Sequence, residues 1–178
     1  MKHLKLFEEF EKECIKQEID LIYRDRDVVC LIPKTQRASY IYGKRTFWCS
    51  TRMDTFEEIA EGGDVILFRF IFKDGYKMRL TYDLSTKLMD WSDKSSVHYF
   101  EGNKDNPFKI SNSEIAKELT KYSKYKDKIF ELSERINSIP KICKDKIIDI
   151  IKSKKRVDYK FSEEEYVSPK LRTNLHTF

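Results

Sequence analysis

The densest chemistry in the chain is the run from Tyr42 to Arg52, YGKRTFWCSTR. Within eleven residues it holds three cations (Lys44, Arg45, Arg52), three small hydroxyls (Thr46, Ser50, Thr51), an indole (Trp48) and a thiol (Cys49). Cationic side chains together with hydroxyls and free backbone N–H groups are what binds a phosphate or another anion. An indole can stack on a base. Lys44, Arg45, Thr46, Trp48, Ser50, Thr51 and Arg52 are therefore the candidate ligand-binding residues. The glycine spacing of a P-loop is missing. Cys49 is the candidate nucleophile, for which a neighbouring base or a helix N-terminus would be required. His98 is the only histidine away from the chain ends, and Asp90 or Asp93 could orient it. The same segment also has a purely structural reading. Adjacent residues at a strand end point opposite ways, so Trp48 and Cys49 can anchor the loop beneath a sheet.

Other residue groups point elsewhere. The 178-residue chain carries a net charge of +5, and residues 1–110 are balanced, so the excess lies in 111–160. There Lys117, Lys121, Lys124 and Lys128 fall at helical spacing, and Lys154 and Lys155 follow later. Together they form a candidate phosphate- or nucleic-acid-facing row, or else a solvated helix face. Glu57, Glu58, Glu61, Asp64, Asp83, Asp90 and Asp93, with Lys77 or Arg79, supply the residue types of a carboxylate nuclease without its usual spacing. The cysteines Cys14, Cys30, Cys49 and Cys143 contain no CxxC pair, so no zinc site is expected, and buried free thiols are the simpler reading. Nothing in the sequence calls for a metal or a cofactor. No apolar run reaches the roughly 20 residues that span a bilayer, and the N-terminus has no signal-like apolar stretch. A cytoplasmic protein without a membrane partner is expected.

The elements that must position these groups follow from periodicity. The reading is an α+β domain over 1–157, with an N-terminal helix, an antiparallel β-meander and a C-terminal helical hairpin, followed by an arm or tail over 158–178. Leu4, Phe7, Phe10, Cys14, Ile15, Ile19 and Ile22 recur at three and four, predicting a helix from Lys2 to about Tyr23. The sheet region is 28–100. Val28 to Ile32 and Ala38 to Tyr42 read as strands, and Thr55 to Glu61 as a short helix closed by Gly62-Gly63. Asp64 to Phe72 and Tyr76 to Asp83 read as a hairpin about Asp74-Gly75. Lys87 to Trp91 and Val97 to Phe100 complete the meander. Ser111 and Glu114 form a capping box that opens a helix running to about Ile136 or Ile139. Pro140 starts the second helix of a hairpin over 111–155.

The pattern Gly43-x-x-Thr46-x-Trp48-Cys49-x-Thr51, followed by Phe56 and by a sheet ending near Asp90 to Asp93, resembles small uncharacterised proteins of phages and mobile elements. The resemblance spans about Ala38 to Asp93. It implies a viral or mobile-element origin, in keeping with the excess of Lys and Ile over Arg and Ala that marks AT-rich genomes. The expectation is a non-enzymatic binding protein for a phosphorylated ligand such as a nucleotide signal, in a counter-defence setting. The alternatives are a protein–protein inhibitor acting on a host protein through the helical hairpin, and an enzyme, with Cys49 as nucleophile or as a divergent nuclease.

Overall fold

A computed structural model describes residues 16–166. Six strands, β1 (Ile19–Arg24), β2 (Val28–Pro33), β3 (Val65–Phe72), β4 (Lys77–Asp83), β5 (Leu88–Asp93) and β6 (His98–Asn103), form one sheet in sequence order, each antiparallel to the next. Tight turns make this order possible, and an aspartate builds each of four of them. The carboxylate of Asp25 accepts from the backbone N–H of Asp27 and Val28, and that of Asp74 from Tyr76. Asp83 accepts from Ser85 and Thr86, and Asp93 from Ser95. These local bonds hold the chain in turn geometry. Gly75 supplies the positive φ of the β3–β4 hairpin.

Five helices are seen among the described residues. Between β2 and β3 lie α1 (Gln36–Tyr42), the 3-10 turn Cys49–Thr51 and α2 (Met53–Ala60). After β6 come α3 (Asn112–Lys121), α4 (Lys126–Ser138) and α5 (Lys141–Ser153). The protein is thus α+β, with both sheet faces covered. On one face Phe68, Phe70, Leu80 and Trp91 pack against Ile129, Leu132 and Ile136 of α4 and against Cys143 and Ile147 of α5. On the other, Val29, Leu31 and Ile71 pack against Ala38, Ile41 and Tyr42 of α1. Burial on both faces is why β2 reads as an unbroken apolar run.

Three expectations are corrected. The predicted N-terminal helix cannot extend to Tyr23, because Ile19–Arg24 is the edge strand β1, paired with β2 from Ile19↔Pro33 to Arg24↔Val29. Ladder formation overrides the helical spacing there, and residues 1–15 lie outside the described region. Ala38 to Tyr42 is helical rather than a strand. Thr35 caps it by accepting from the Ala38 N–H (3.0 Å), and Ala38, Ile41 and Tyr42 sit on one face at helical spacing. The helix expected from Ser111 to about Ile136 or Ile139 breaks at Tyr122 (φ −129°, ψ 52°), giving three helices where two were expected. The capping box at Ser111 and Glu114 forms as expected. Beyond α5 the arm is described to Tyr166 and packs along α1 and α2, while 167–178 lie outside the described residues. No helix among the described residues is long and apolar enough to cross a membrane.

If α4 closes the main core as described, Leu132→Ala should cost about 2–5 kcal/mol through the cavity left at a fully buried position. A lowered urea midpoint at unchanged m-value would report it.

Candidate functional site

The face covered by α1 carries a row of polar side chains set by strand register. Arg69 on β3 is directly opposite Arg79 on β4, Arg79 is opposite Ser92 on β5, and Ser92 is opposite His98 on β6. Like charges directly opposite each other are normally unfavourable in a sheet, and these are also buried: Arg69 is 0% exposed and Arg79 3%. Lys77, one position along the same face of β4, is buried too.

The loop that follows α1 makes this arrangement tolerable. The Arg69 guanidinium lies 4.2 Å from the centre of the Trp48 ring. Its Nη2 donates to Ser50 Oγ (2.6 Å) and Ser39 Oγ (3.2 Å), and Ser39 Oγ donates onward to the Ser50 carbonyl (2.7 Å). Arg79 sits 5.8 Å from the same indole, with Nη2 4.0 Å from Asp90 Oδ1. Lys77 Nζ donates to the carbonyls of Tyr42 (3.1 Å) and Lys44 (2.7 Å). The satisfaction is incomplete. Nε and Nη1 of Arg69, Nε of Arg79 and Oγ of Ser92 are buried without a hydrogen-bond partner.

Electrostatics follow the burial. Burial, and then the neighbouring Arg79, push Arg69 well below the usual arginine range. Arg79 is pushed down by burial, with Asp90 and Cys49 opposing. A guanidinium nevertheless keeps its proton in a protein, so two positive charges stand here against one nearby carboxylate. Lys77 is pushed down to about 8, first by burial and then by Arg69, Arg45 and Lys44.

The candidate residues in the loop take different roles from those expected. Trp48 is 1% exposed and its Nε1 donates to the Asp93 carbonyl (2.7 Å), so its ring packs on Arg69 and is not presented to a base. Ser50 is buried as an acceptor for Arg69. Thr46 Oγ1 donates to the Gly43 carbonyl (2.6 Å) and Thr51 Oγ1 to the Trp48 carbonyl (2.8 Å), shaping the turn. A Cβ on Gly43 would fall 2.3 Å from Thr51 Cγ2 and 2.8 Å from the Ser39 carbonyl, so glycine is required there by the close approach of α1 to the turn. Lys44 is half-buried, Arg45 is exposed, and Arg52 is exposed with Asp54 3.4 Å away. Phe47 is 80% exposed.

Cys49 is exposed beside the arginine pair. His98 Nδ1 lies 2.8 Å from Asp90 Oδ1. Asp90 is thereby shared between His98 and Arg79, and no hydrogen bond joins His98 to Cys49. The acidic residues do not converge: Asp83 and Asp93 are turn acceptors, and no group of three potential metal ligands forms among the described residues. The lysine row divides across the helix break. Lys117 and Lys121 lie on α3, Lys124 on a separate 3-10 turn (Ser123–Tyr125) and Lys128 on α4, with Lys154 and Lys155 just past α5.

Arg69 and Ser39 escaped the sequence reading as site residues, and Arg79 entered it only as a possible cation of a carboxylate nuclease. A signal did exist, since Arg69 interrupts the apolar strand VILFRFIF and Lys77 and Arg79 alternate with Met78 and Leu80. Only the register shows that these cations are neighbours. Comparison with known proteins finds no matching family model, no matching curated protein and no matching solved structure.

Lys77 generates a pH test. Its folded-state pKa is lowered from 10.5 to about 8, so the unfolded chain binds the proton more tightly. The penalty is fully present below pH 8 and is relieved as pH rises towards 10.5. The stability of the wild type relative to Lys77→Met should therefore rise across that window, by on the order of 3 kcal/mol at most. Melting temperatures of both proteins from pH 7 to 10 would check it, and parallel curves would count against it.

Proposed function

We propose that the protein is a non-enzymatic binding protein for a small phosphorylated ligand, with Arg69 and Arg79 as the anchoring cations. The observation that carries this reading is the buried, directly paired arginines, which retain three guanidinium nitrogens without an acceptor and have a single carboxylate at 4.0 Å. Burying charge without a partner is expensive, and an anion offering several oxygens would relieve it. Phosphate matches paired guanidinium forks in both charge and geometry.

Entry requires displacing the turn that carries Trp48 and Ser50, because these residues cover Arg69. Lys44, Arg45 and Arg52 lie around that turn and add positive potential along the approach. Thr46, Ser50 and Thr51 act by shaping the cover, and Trp48 by holding Arg69 in place. The likeness of the 43–51 motif to phage and mobile-element proteins supplies the setting: a cytoplasmic, virally encoded protein that sequesters a nucleotide signal as counter-defence.

The test is thermal shift with inorganic phosphate, AMP, ATP and cyclic dinucleotides as probes. A probe present at 100 times its Kd adds about 2.7 kcal/mol, a rise of about 5–10 °C for a chain of this size. Arg79→Gln should abolish the rise while its circular dichroism spectrum stays unchanged, and Arg45→Ala/Arg52→Ala should weaken it. No shift with any probe, or an equal shift in Arg79→Gln, would sink the assignment.

A further inference from the structure

Away from the arginine pair, the C-terminal arm lies across α1 and α2. After α5 the backbone returns along the sheet. Val157 N–H donates to the Gly63 carbonyl (3.0 Å), and Tyr159 is buried with its hydroxyl on the Val65 carbonyl (2.7 Å) and its ring edge-on to Phe56. Lys160 N–H donates to the Lys34 carbonyl (2.7 Å). Residues 160–165 are then exposed, bowed over a cavity of about 340 Å³. The arm docks again at Glu165 and Tyr166.

This second docking is read by three separate devices. The side-chain amide of Gln36, 5% exposed, grips the backbone of Tyr166 in both directions: its Oε1 accepts from Tyr166 N–H (2.7 Å) and its Nε2 donates to the Tyr166 carbonyl (3.3 Å). The Tyr166 ring stands edge-on to Tyr40 (5.4 Å), with the Arg37 guanidinium 5.5 Å from its centre. Glu165 Oε1 accepts from Met53 N–H (3.1 Å), the first residue of α2. A two-way amide clamp reads extended backbone whatever the side chain, as in strand-type peptide recognition. The aromatic pair with its cation reads a ring, and an unpaired N–H at a helix start reads a carboxylate.

We propose that the α1–α2 groove is a docking site for an extended acidic peptide carrying Glu-Tyr, supplied by a partner protein, and that residues 160–166 are its resident occupant. Gln36, Arg37, Tyr40 and the start of α2 form the receptor. Exchange is feasible because the arm between Tyr159 and Tyr166 buries little and so belongs to the weakly held part of the structure. The tethered arm competes at millimolar effective concentration, so the groove opens to a partner only where that arm is outcompeted. This inference stands apart from the anion reading, since none of the receptor residues belongs to the arginine pair.

The probe is a fluorescein-labelled peptide KFSEEEY, titrated into the full-length chain and followed by anisotropy. In the chain with Glu165→Ala/Tyr166→Ala (the vacated chain) the arm keeps only its backbone bonds to Gln36, and the peptide should bind at least tenfold more tightly than it does to the wild type. Peptides in which the terminal Glu or the Tyr is replaced by Ala should each lose tenfold or more, a readout that needs no folded receptor variant. Arg37→Ala in the vacated chain should weaken binding of the intact peptide. Equal binding by wild type and vacated chain, or equal binding of a scrambled peptide, would overturn the proposal. A concentration-dependent dimer of the wild type, lost in the vacated chain, would assign the groove to a second copy and overturn the partner reading.

Discussion

The contact on which the middle of the molecule depends is the guanidinium of Arg69, fully buried between a β-sheet and the indole of Trp48. A charge in that position costs free energy unless it is wrapped by π electrons and acceptors. Trp48 supplies the first, and the hydroxyls of Ser50 and Ser39 supply the second. In satisfying Arg69, α1 and the 3-10 turn are drawn onto β3, and the loop between them acquires its shape. Gly43 then has to be glycine, because α1 and the turn meet too closely for a side chain. The positive charge is the organising element of this face, whereas the opposite face is organised by apolar burial against α4 and α5.

The same logic explains how the chain uses its acids. A row of paired arginines would ordinarily call for carboxylates beside it. Here Asp83 and Asp93 are committed to turns, and Asp90 is shared between His98 and Arg79 at a distance from the latter of 4.0 Å. The β5–β6 ladder shifts between Met89 and Trp91, so Asp90 has no register partner in β6, and its side chain meets His98 instead. The site therefore keeps a local positive excess within a half of the chain whose formal charges sum to zero. Net charge over a hundred residues says little about the potential at one buried point; the register of individual side chains sets it.

Two grips converge on one turn. Ser50 is held from the sheet side by Arg69, and the Thr51 carbonyl is held from the arm side by Gln36, which also clamps Tyr166. Consecutive residues of a short 3-10 turn are thus tied to the buried arginines and to the C-terminal arm.

Local chemistry made much of this protein readable from sequence. The β3–β4 hairpin about Asp74-Gly75, the capping box at Ser111, the helix near Thr55 and the α+β class all depend on neighbours within a few residues, where periodicity and turn propensity decide. The loop from Tyr42 to Arg52 stood out for the same reason, as a local concentration of functional groups. What sequence could not decide were the features that need distant partners. Ile19–Arg24 has helical spacing but becomes a strand because β2 offers it a ladder, and Ala38 to Tyr42 has strand-like composition but turns helical under Thr35. The helix after Ser111 breaks at Tyr122 although no Pro or Gly marks the place. Arg69 and Arg79 are ten residues apart in the chain and become one site only when β3 and β4 align; the arm meets Gln36 from 130 residues away. Periodicity determines which elements can form, while side-chain register and long-range burial determine which charges end up facing each other, and here that second decision makes the site.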